Sequence, residues 1–318
     1  MSRRLGGLGL LATLLVAAGC GLGPGPEQRG SGTELRVTRD FGQQSIASER
    51  AASIRQGETV MRLLQSSQKV QTSYGGRFVQ AIDSVAGEGP TGRRDWFYYV
   101  NGVEAETGAA ERVLDPGDVV QWDFRRWDTA MRIPAIVGAF PEPFRNGIEG
   151  KRIPARVECE DERGAACAEV KRRLQAQGVI ATSAPFGTAA GAKVGRVVVA
   201  AWPRARTLRT AAVLDRGPGA SGVFARFATD GRRLELLDAG GTPVRTAPPG
   251  TGLLAATRQS GGELLWLVTG TDARGVDAAA RALDPATLRD AFAVAVEPSG
   301  PVRLPVGARS VVGRPAPP

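Results

Sequence analysis

The feature that most constrains the fold is an aromatic segment that runs directly into a tight turn. Residues 96–100 read Trp-Phe-Tyr-Tyr-Val and are followed at once by Asn101-Gly102. Aromatic and β-branched residues favour strands, and Asn-Gly is the strongest short signal for a two-residue β-hairpin turn. Successive side chains of a strand point to opposite faces of the sheet. The sequence therefore predicts a hairpin in which about half of the aromatic residues belong to a hydrophobic core.

Further elements flank this hairpin within residues 33–132. Alternating apolar and polar residues predict strands at 34–41, 78–83 and 119–127. A short helix is predicted at 60–68, where Thr59 is a natural N-cap. Strands that enclose a single helix indicate an α+β domain, with the helix packed on a small sheet.

The pattern changes in residues 147–304, where strands and helices alternate. The segment 133–146 that joins the two parts is apolar and broken by prolines, and it is predicted to be a packed connector. Alternation of this kind predicts an α/β domain with a mixed sheet. The predicted strands lie at 155–158, 179–183, 194–202, 234–238, 263–269 and 292–297, and the predicted helices at 165–177, 208–215 and 276–283.

The N-terminus is typical of an export signal. Arg3 and Arg4 precede an apolar run that is too short to span a bilayer comfortably. The ending Ala-Ala-Gly-Cys20 resembles the bacterial lipobox, which implies a signal peptide at 1–20 and a lipid on Cys20. The resemblance further implies a protein anchored to the outer face of the cell membrane. The alternative is an ordinary cleavage site that happens to precede a cysteine.

Segments rich in glycine and proline are predicted at several places to lack a regular fold. Residues 21–32 are predicted to be a flexible tether, and residues 305–318 a C-terminal tail. The glycine-rich segments 217–222 and 249–252 lack the Gly-Lys-Ser/Thr of a phosphate loop and are interpreted as turns.

Two cysteines remain once Cys20 is assigned to the lipid. Cys159 ends a predicted strand and Cys167 lies near the start of a predicted helix. An even number of cysteines outside the cytoplasm indicates a disulfide, and two free thiols are the alternative. A metal site would need more soft ligands, and the chain has no histidine.

The absence of histidine also narrows the function. It excludes the Ser-His-Asp and Cys-His nucleophiles and an imidazole acid or base, and Ser221 has no base beside it. Chemistry that uses carboxylates alone stays open, but no clustered pair of carboxylates demands it. We expect no enzyme and no cofactor. The formal net charge is +9, but the basic residues are scattered along the chain. No nucleic-acid partner is predicted, because such binding favours a clustered basic surface.

A set of landmarks in the first domain resembles the β-grasp family named for the C-terminal domain of transcobalamin. In chain order these landmarks are Gly57-Glu58-Thr59-Val60, Tyr74-Gly75, strand 78–83, Trp96-x-Tyr98-Tyr99-Val100-Asn101-Gly102, Gly108-Ala109, Leu114-x-Pro116-Gly117-Asp118 and Val120-x-Trp122. In the animal cobalamin carriers of this family, a helical barrel and the small β domain enclose the corrin ring. Bacterial relatives are surface proteins thought to act beside energy-coupling-factor transporters.

The resemblance implies a corrinoid such as cobalamin as the ligand, and a separate helical-barrel protein and an uptake transporter as partners. The ligand-binding residues that it implies are Tyr74, Gly75, Trp96, Phe97, Tyr98 and Tyr99. Aromatic faces can pack on the corrin plate while backbone groups bond its amides.

Two alternatives remain open. If Phe97 and Tyr99 face the helix as core residues, Trp96 and Tyr98 point outward, where they serve either ligand binding or sheet packing. The whole protein could instead be a structural or adhesive surface module that binds protein or glycan, because a fold alone does not establish a function.

Overall fold

The computed structural model describes residues 27–89, 91–188, 194–259 and 262–307, and of residues 27–31 it describes only the backbone. The predicted signal peptide, Cys20 and residues 308–318 lie outside the described residues. The elements of the first domain are β1 (Glu27–Arg39), β2 (Gln44–Arg55), α1 (Val60–Ser67), β3 (Val70–Ser73), β4 (Phe78–Ile82), β5 (Val85–Ala86), β6 (Arg94–Val100), β7 (Val103–Glu104) and β8 (Val119–Arg126).

One five-stranded sheet organises the first domain, with the strand order β2-β1-β8-β6-β7. β1 and β8 are parallel, whereas the other neighbouring pairs are antiparallel. Helix α1 begins after Thr59, whose side chain accepts a hydrogen bond from the Arg62 amide. Its apolar face packs on one side of the sheet, and β3, β4 and β5 form a small separate sheet beside it.

The second domain is built on a seven-stranded sheet with the order β10-β9-β11-β16-β15-β17-β18, accompanied by a three-stranded sheet, β12-β13-β14. The first four strands of the larger sheet are parallel and the last three are antiparallel, so the sheet is mixed. The elements are β9 (Ala155–Cys159), α2 (Ala165–Ala176), β10 (Ala181–Pro185), β11 (Gly195–Val199), α3 (Trp202–Ala205), a 3₁₀ helix (Ala211–Arg216), α4 (Pro218–Ser221), β12 (Ala225–Phe227), β13 (Leu234–Leu237), β14 (Pro243–Thr246), β15 (Gly252–Arg258), β16 (Leu264–Gly270), α5 (Ala273–Arg281), α6 (Pro285–Leu288), β17 (Ala293–Glu297) and β18 (Gly300–Leu304).

The two faces of the large sheet have different covers. Helices α2 and α5 pack on one face, while the three-stranded sheet and the first domain cover the other. Phe41 of the first domain inserts between Phe224 and Phe292 of the second, with ring centroids 5.0 and 5.3 Å away. Residues 133–146 are largely buried between the domains, so the connector is packed.

The α+β class is confirmed, and the protein consists mostly of sheets with few helices. The predicted limits of two segments differ from the structure. β1 begins at Glu27, inside the segment expected to be a tether, because its backbone pairs with β2. The expected tail begins with packed residues, since Val306 is buried and its amide bonds to the Leu237 carbonyl. No helix among the described residues has the length and apolar character needed to cross a membrane.

Candidate functional site

The aromatic strand β6 directs its side chains into two different cores. Trp96 and Tyr98 point toward α1, whereas Phe97 and Tyr99 point toward the second domain. The alternative in which Phe97 and Tyr99 face the helix while Trp96 and Tyr98 point outward is therefore wrong. The alternation of the strand is as predicted, but the assignment of its two faces is reversed.

On the side of α1, both aromatic residues make structural contacts. The Trp96 ring lies 5.3 Å from the Phe124 ring, and its Nε1 donates a hydrogen bond to the Val85 carbonyl at 3.2 Å. The Tyr98 ring packs at 4.9 Å on Trp122, and its hydroxyl donates to the Thr107 carbonyl. Burial raises the pKa of Tyr98 to about 12. These contacts leave little ring surface for a ligand.

On the other side, the second domain covers the strand. Tyr99 has no exposed surface, and its ring lies 5.4 Å from Phe292. Phe97 is half-buried beneath the Arg125 guanidinium, which lies 3.7 Å from the ring centroid. Arg125 itself is held by the Ala130 and Met131 carbonyls. A ligand could reach this face only if the two domains separated.

The turn between β3 and β4 is the exposed part of the predicted site. Tyr74 is 85% exposed, and Gly75 beside it is also exposed. Three consecutive residues there, Tyr74, Gly75 and Gly76, have positive φ angles of 50°, 69° and 87°. Such backbone is unfavourable for a tyrosine, so the turn presents its ring to solvent at some cost in strain.

Phe78 extends this exposed aromatic surface. It is 42% exposed, and its ring lies edge-to-face with the Tyr74 ring at 6.4 Å. The sequence interpretation missed Phe78 as a site residue. The available signal was the alternation in β4, which puts Phe78 on the opposite face from the buried Val79 and Ala81. We call Tyr74, Gly75 and Phe78 the aromatic tip.

A buried carboxylate organises the contact between the domains. Asp123 on β8 accepts hydrogen bonds from the Thr38 hydroxyl and from the Phe41 and Gly42 amides, at 2.7, 2.9 and 2.8 Å. Asp40 and Phe41 both have positive φ. Burial raises the pKa of Asp123 to about 6, even though these donors and Arg125 favour the charged form. The carboxylate thus fixes the loop that carries Phe41 into the second domain.

The predicted disulfide between Cys159 and Cys167 is confirmed. The two Cα atoms lie 5.9 Å apart, so that the bond ties the end of β9 to the first turn of α2. Within the described ranges, no three Cys, Asp or Glu residues are grouped so that they could hold a metal ion.

Comparisons with known proteins match part of the chain. A family model described as a domain of unknown function, DUF4430, matches residues 57–126, which run from before α1 to the end of β8. A crystal structure described as that of a proposed metal binding protein from Ruminococcus gnavus is similar at 14% sequence identity and a TM-score of 0.24, covering 30% of this chain and 96% of that chain. A TM-score this low supports no argument about function. No curated protein matches the chain.

Proposed function

We propose that this protein is a lipid-anchored ligand-binding component of the cell surface and that it catalyses no reaction. The lipobox-like ending at Cys20 supports the anchor. The transcobalamin-like β-grasp assignment is part of the same proposal. It is supported by the strand order β2-β1-β8-β6-β7, by the parallel central pair β1 and β8, and by the single helix packed on this sheet.

The observation that carries the proposal is the exposure of the aromatic tip. Among the described residues, Tyr74 has the largest exposed fraction of any large apolar or aromatic side chain. Large aromatic rings are normally buried because burial removes much apolar surface from water. A strained turn that holds such a ring in solvent, next to a second ring, supports a surface that acquires a partner. Trp96, Phe97, Tyr98 and Tyr99 then support the fold and do not contact the ligand.

The first ligand to test is a corrinoid. The rings of Tyr74 and Phe78 offer apolar surface to a corrin plate, while the turn offers backbone groups to its amides. An aromatic tip covers one side of such a ligand only. This is consistent with a separate helical-barrel protein that would cover the other side and with an energy-coupling-factor transporter that would receive the ligand.

Equilibrium dialysis of the purified protein against cobalamin tests this proposal. We expect saturable binding. Tyr74→Ala should raise the Kd by about tenfold or more, as for loss of an aromatic anchor. Ile180→Ala is the matched control because Ile180 is 65% exposed on the second domain. Its Kd should equal that of the wild-type protein.

A protein that binds no cobalamin, alone or with a helical-barrel protein added, would contradict the corrinoid proposal. The adhesive surface module would then be the better function. Two exposed rings on a hairpin turn could also stack on sugars, so immobilised glycans would be the next ligands to test, with the same two variants.

A further inference from the structure

A cavity of about 680 Å³ lies between the two domains, and none of the aromatic-tip residues lines it. This volume falls within the range of small-molecule sites. Three parts of the chain form its walls: Glu104 and Glu106 at the end of β7, Arg132 and Pro134 where the connector begins, and second-domain residues between Arg209 and Gln259. The cavity therefore exists only when the two domains are packed together.

Arginines dominate the charged lining of this cavity. Arg132, Arg209, Arg216 and Arg258 face two glutamates, Glu104 and Glu106. The cavity thus has an excess of two positive charges. Charges of one sign in a concave site raise the local concentration of ligands of the opposite sign.

Two of the four arginines already have partners. Arg132 Nε lies 3.1 Å from Glu104 Oε2, and Arg258 lies 3.3 Å from Glu106 Oε1. Glu104 is also shared with the fully buried Arg125, 3.6 Å away. The negative charge of the lining is therefore already neutralised.

The other two arginines are not paired. Arg209 and Arg216 are exposed, and within the described part of the chain neither has an ion-pair or hydrogen-bond partner for its side chain. The nearby Asp215 pairs with Arg206 instead. Ala212, Val213 and Arg216 belong to the 3₁₀ helix, Arg209 lies two residues before it, and all four line the same cavity.

The geometry points to a binding site for a soluble small molecule with at least two negative charges, carried by phosphate or carboxylate groups. Arg209 and Arg216 supply the two guanidinium groups, whose planar donors match such oxygens in pairs. Thr257 and the apolar residues Val213 and Pro134 line other parts of the cavity wall. This site is independent of the aromatic tip, and it would survive the failure of the corrinoid proposal.

Calorimetric titration of the full-length protein with inorganic pyrophosphate, and separately with citrate, tests the site. We expect the wild-type protein to bind at least one of the two anions. The double variant Arg209→Ala with Arg216→Ala should raise the Kd for that anion by at least about tenfold, because both unpaired cations are lost. Glu106→Gln should tighten it by about threefold, because it releases Arg258 from its ion pair.

The control is Arg163→Ala with Arg232→Ala. Both residues are exposed and line no part of this cavity, so this variant loses the same charge elsewhere, and we expect its Kd to stay within about twofold of wild type. An equal loss of affinity in the two double variants would overturn the site, because it would show attraction by net charge alone. A wild-type protein that binds neither anion would overturn it as well.

Discussion

At the scale of single residues, Asp123 is the carboxylate on which the junction between the domains depends. Its carboxylate accepts three hydrogen bonds, from Thr38, Phe41 and Gly42. Position 42 requires a glycine, because a Cβ atom there would clash with the Asp290 carbonyl oxygen of the second domain. The sequence shows Asp123 only as a polar residue in an alternating strand. Its burial could not be predicted, because the residues that cover it are far away in the sequence.

The raised pKa of Asp123 predicts a pH dependence of stability. Between about pH 4 and about pH 6 the folded protein holds a proton on Asp123 that the unfolded chain has released, so stability falls as the pH rises through this window. For a pKa raised from 3.8 to about 6, the loss in the free energy of unfolding across this window is about 3 kcal/mol.

Asp123→Asn isolates this contribution. Other carboxyl groups titrate in the same range. The quantity to measure is therefore the difference in the free energy of unfolding between wild type and this variant, from urea unfolding at pH 4, 5, 6 and 7. We expect wild type to lose stability relative to the variant as the pH rises. A difference that does not change with pH would contradict the burial of this carboxylate.

Substitutions of Trp96 and Tyr74 compare the effect on stability of a packed aromatic side chain with that of an exposed one. Trp96→Ala should lower the free energy of unfolding by about 3–5 kcal/mol, because it empties a site in the core beneath α1. Tyr74→Ala should change it by less than about 0.5 kcal/mol, since the ring is exposed. Urea unfolding monitored by circular dichroism measures both. Equal losses in the two variants would mean that Tyr74 is packed as well.

At the scale of elements, prediction succeeded where a local pattern was complete. Helix α1 has its cap at Thr59, and α2 starts and ends within a residue of its predicted limits. Strand β2 was missed because only Ile54 is buried among its residues, so no apolar alternation marks it. β15 was missed for the opposite reason: it is buried on both faces and begins at Gly252, which was interpreted as a turn.

The disulfide belongs to this scale because it joins β9 to α2. We expect Cys159→Ala with Cys167→Ala to lower the free energy of unfolding by about 2–3 kcal/mol, on the chain-entropy estimate. Urea unfolding of this variant should match that of the wild-type protein treated with a reductant. Unchanged stability in both would show that the bond contributes little to the fold.

At the scale of the whole molecule, the arrangement of the domains decides which parts of the predicted site are accessible. The β8 residues Gln121 and Asp123 suggest by their polarity a face turned to solvent. The structure instead buries this face beneath the second domain, where Gln121 donates a hydrogen bond to the Asp290 carbonyl. A polar face can be buried when its groups are hydrogen-bonded. Alternation within a strand therefore predicted the two faces of β6 but not what covers each of them.

Because this closed arrangement covers strand β6, we propose the aromatic tip as the ligand-contact surface. Hydrogen–deuterium exchange of the protein with and without saturating cobalamin tests that claim most directly. We predict that cobalamin slows exchange in residues 73–78 and leaves residues 94–100 unchanged, because the latter amides are already protected in a covered sheet. Protection by cobalamin that appears in residues 94–100 and not in residues 73–78 would contradict the account, because the ligand would then lie where the second domain is packed.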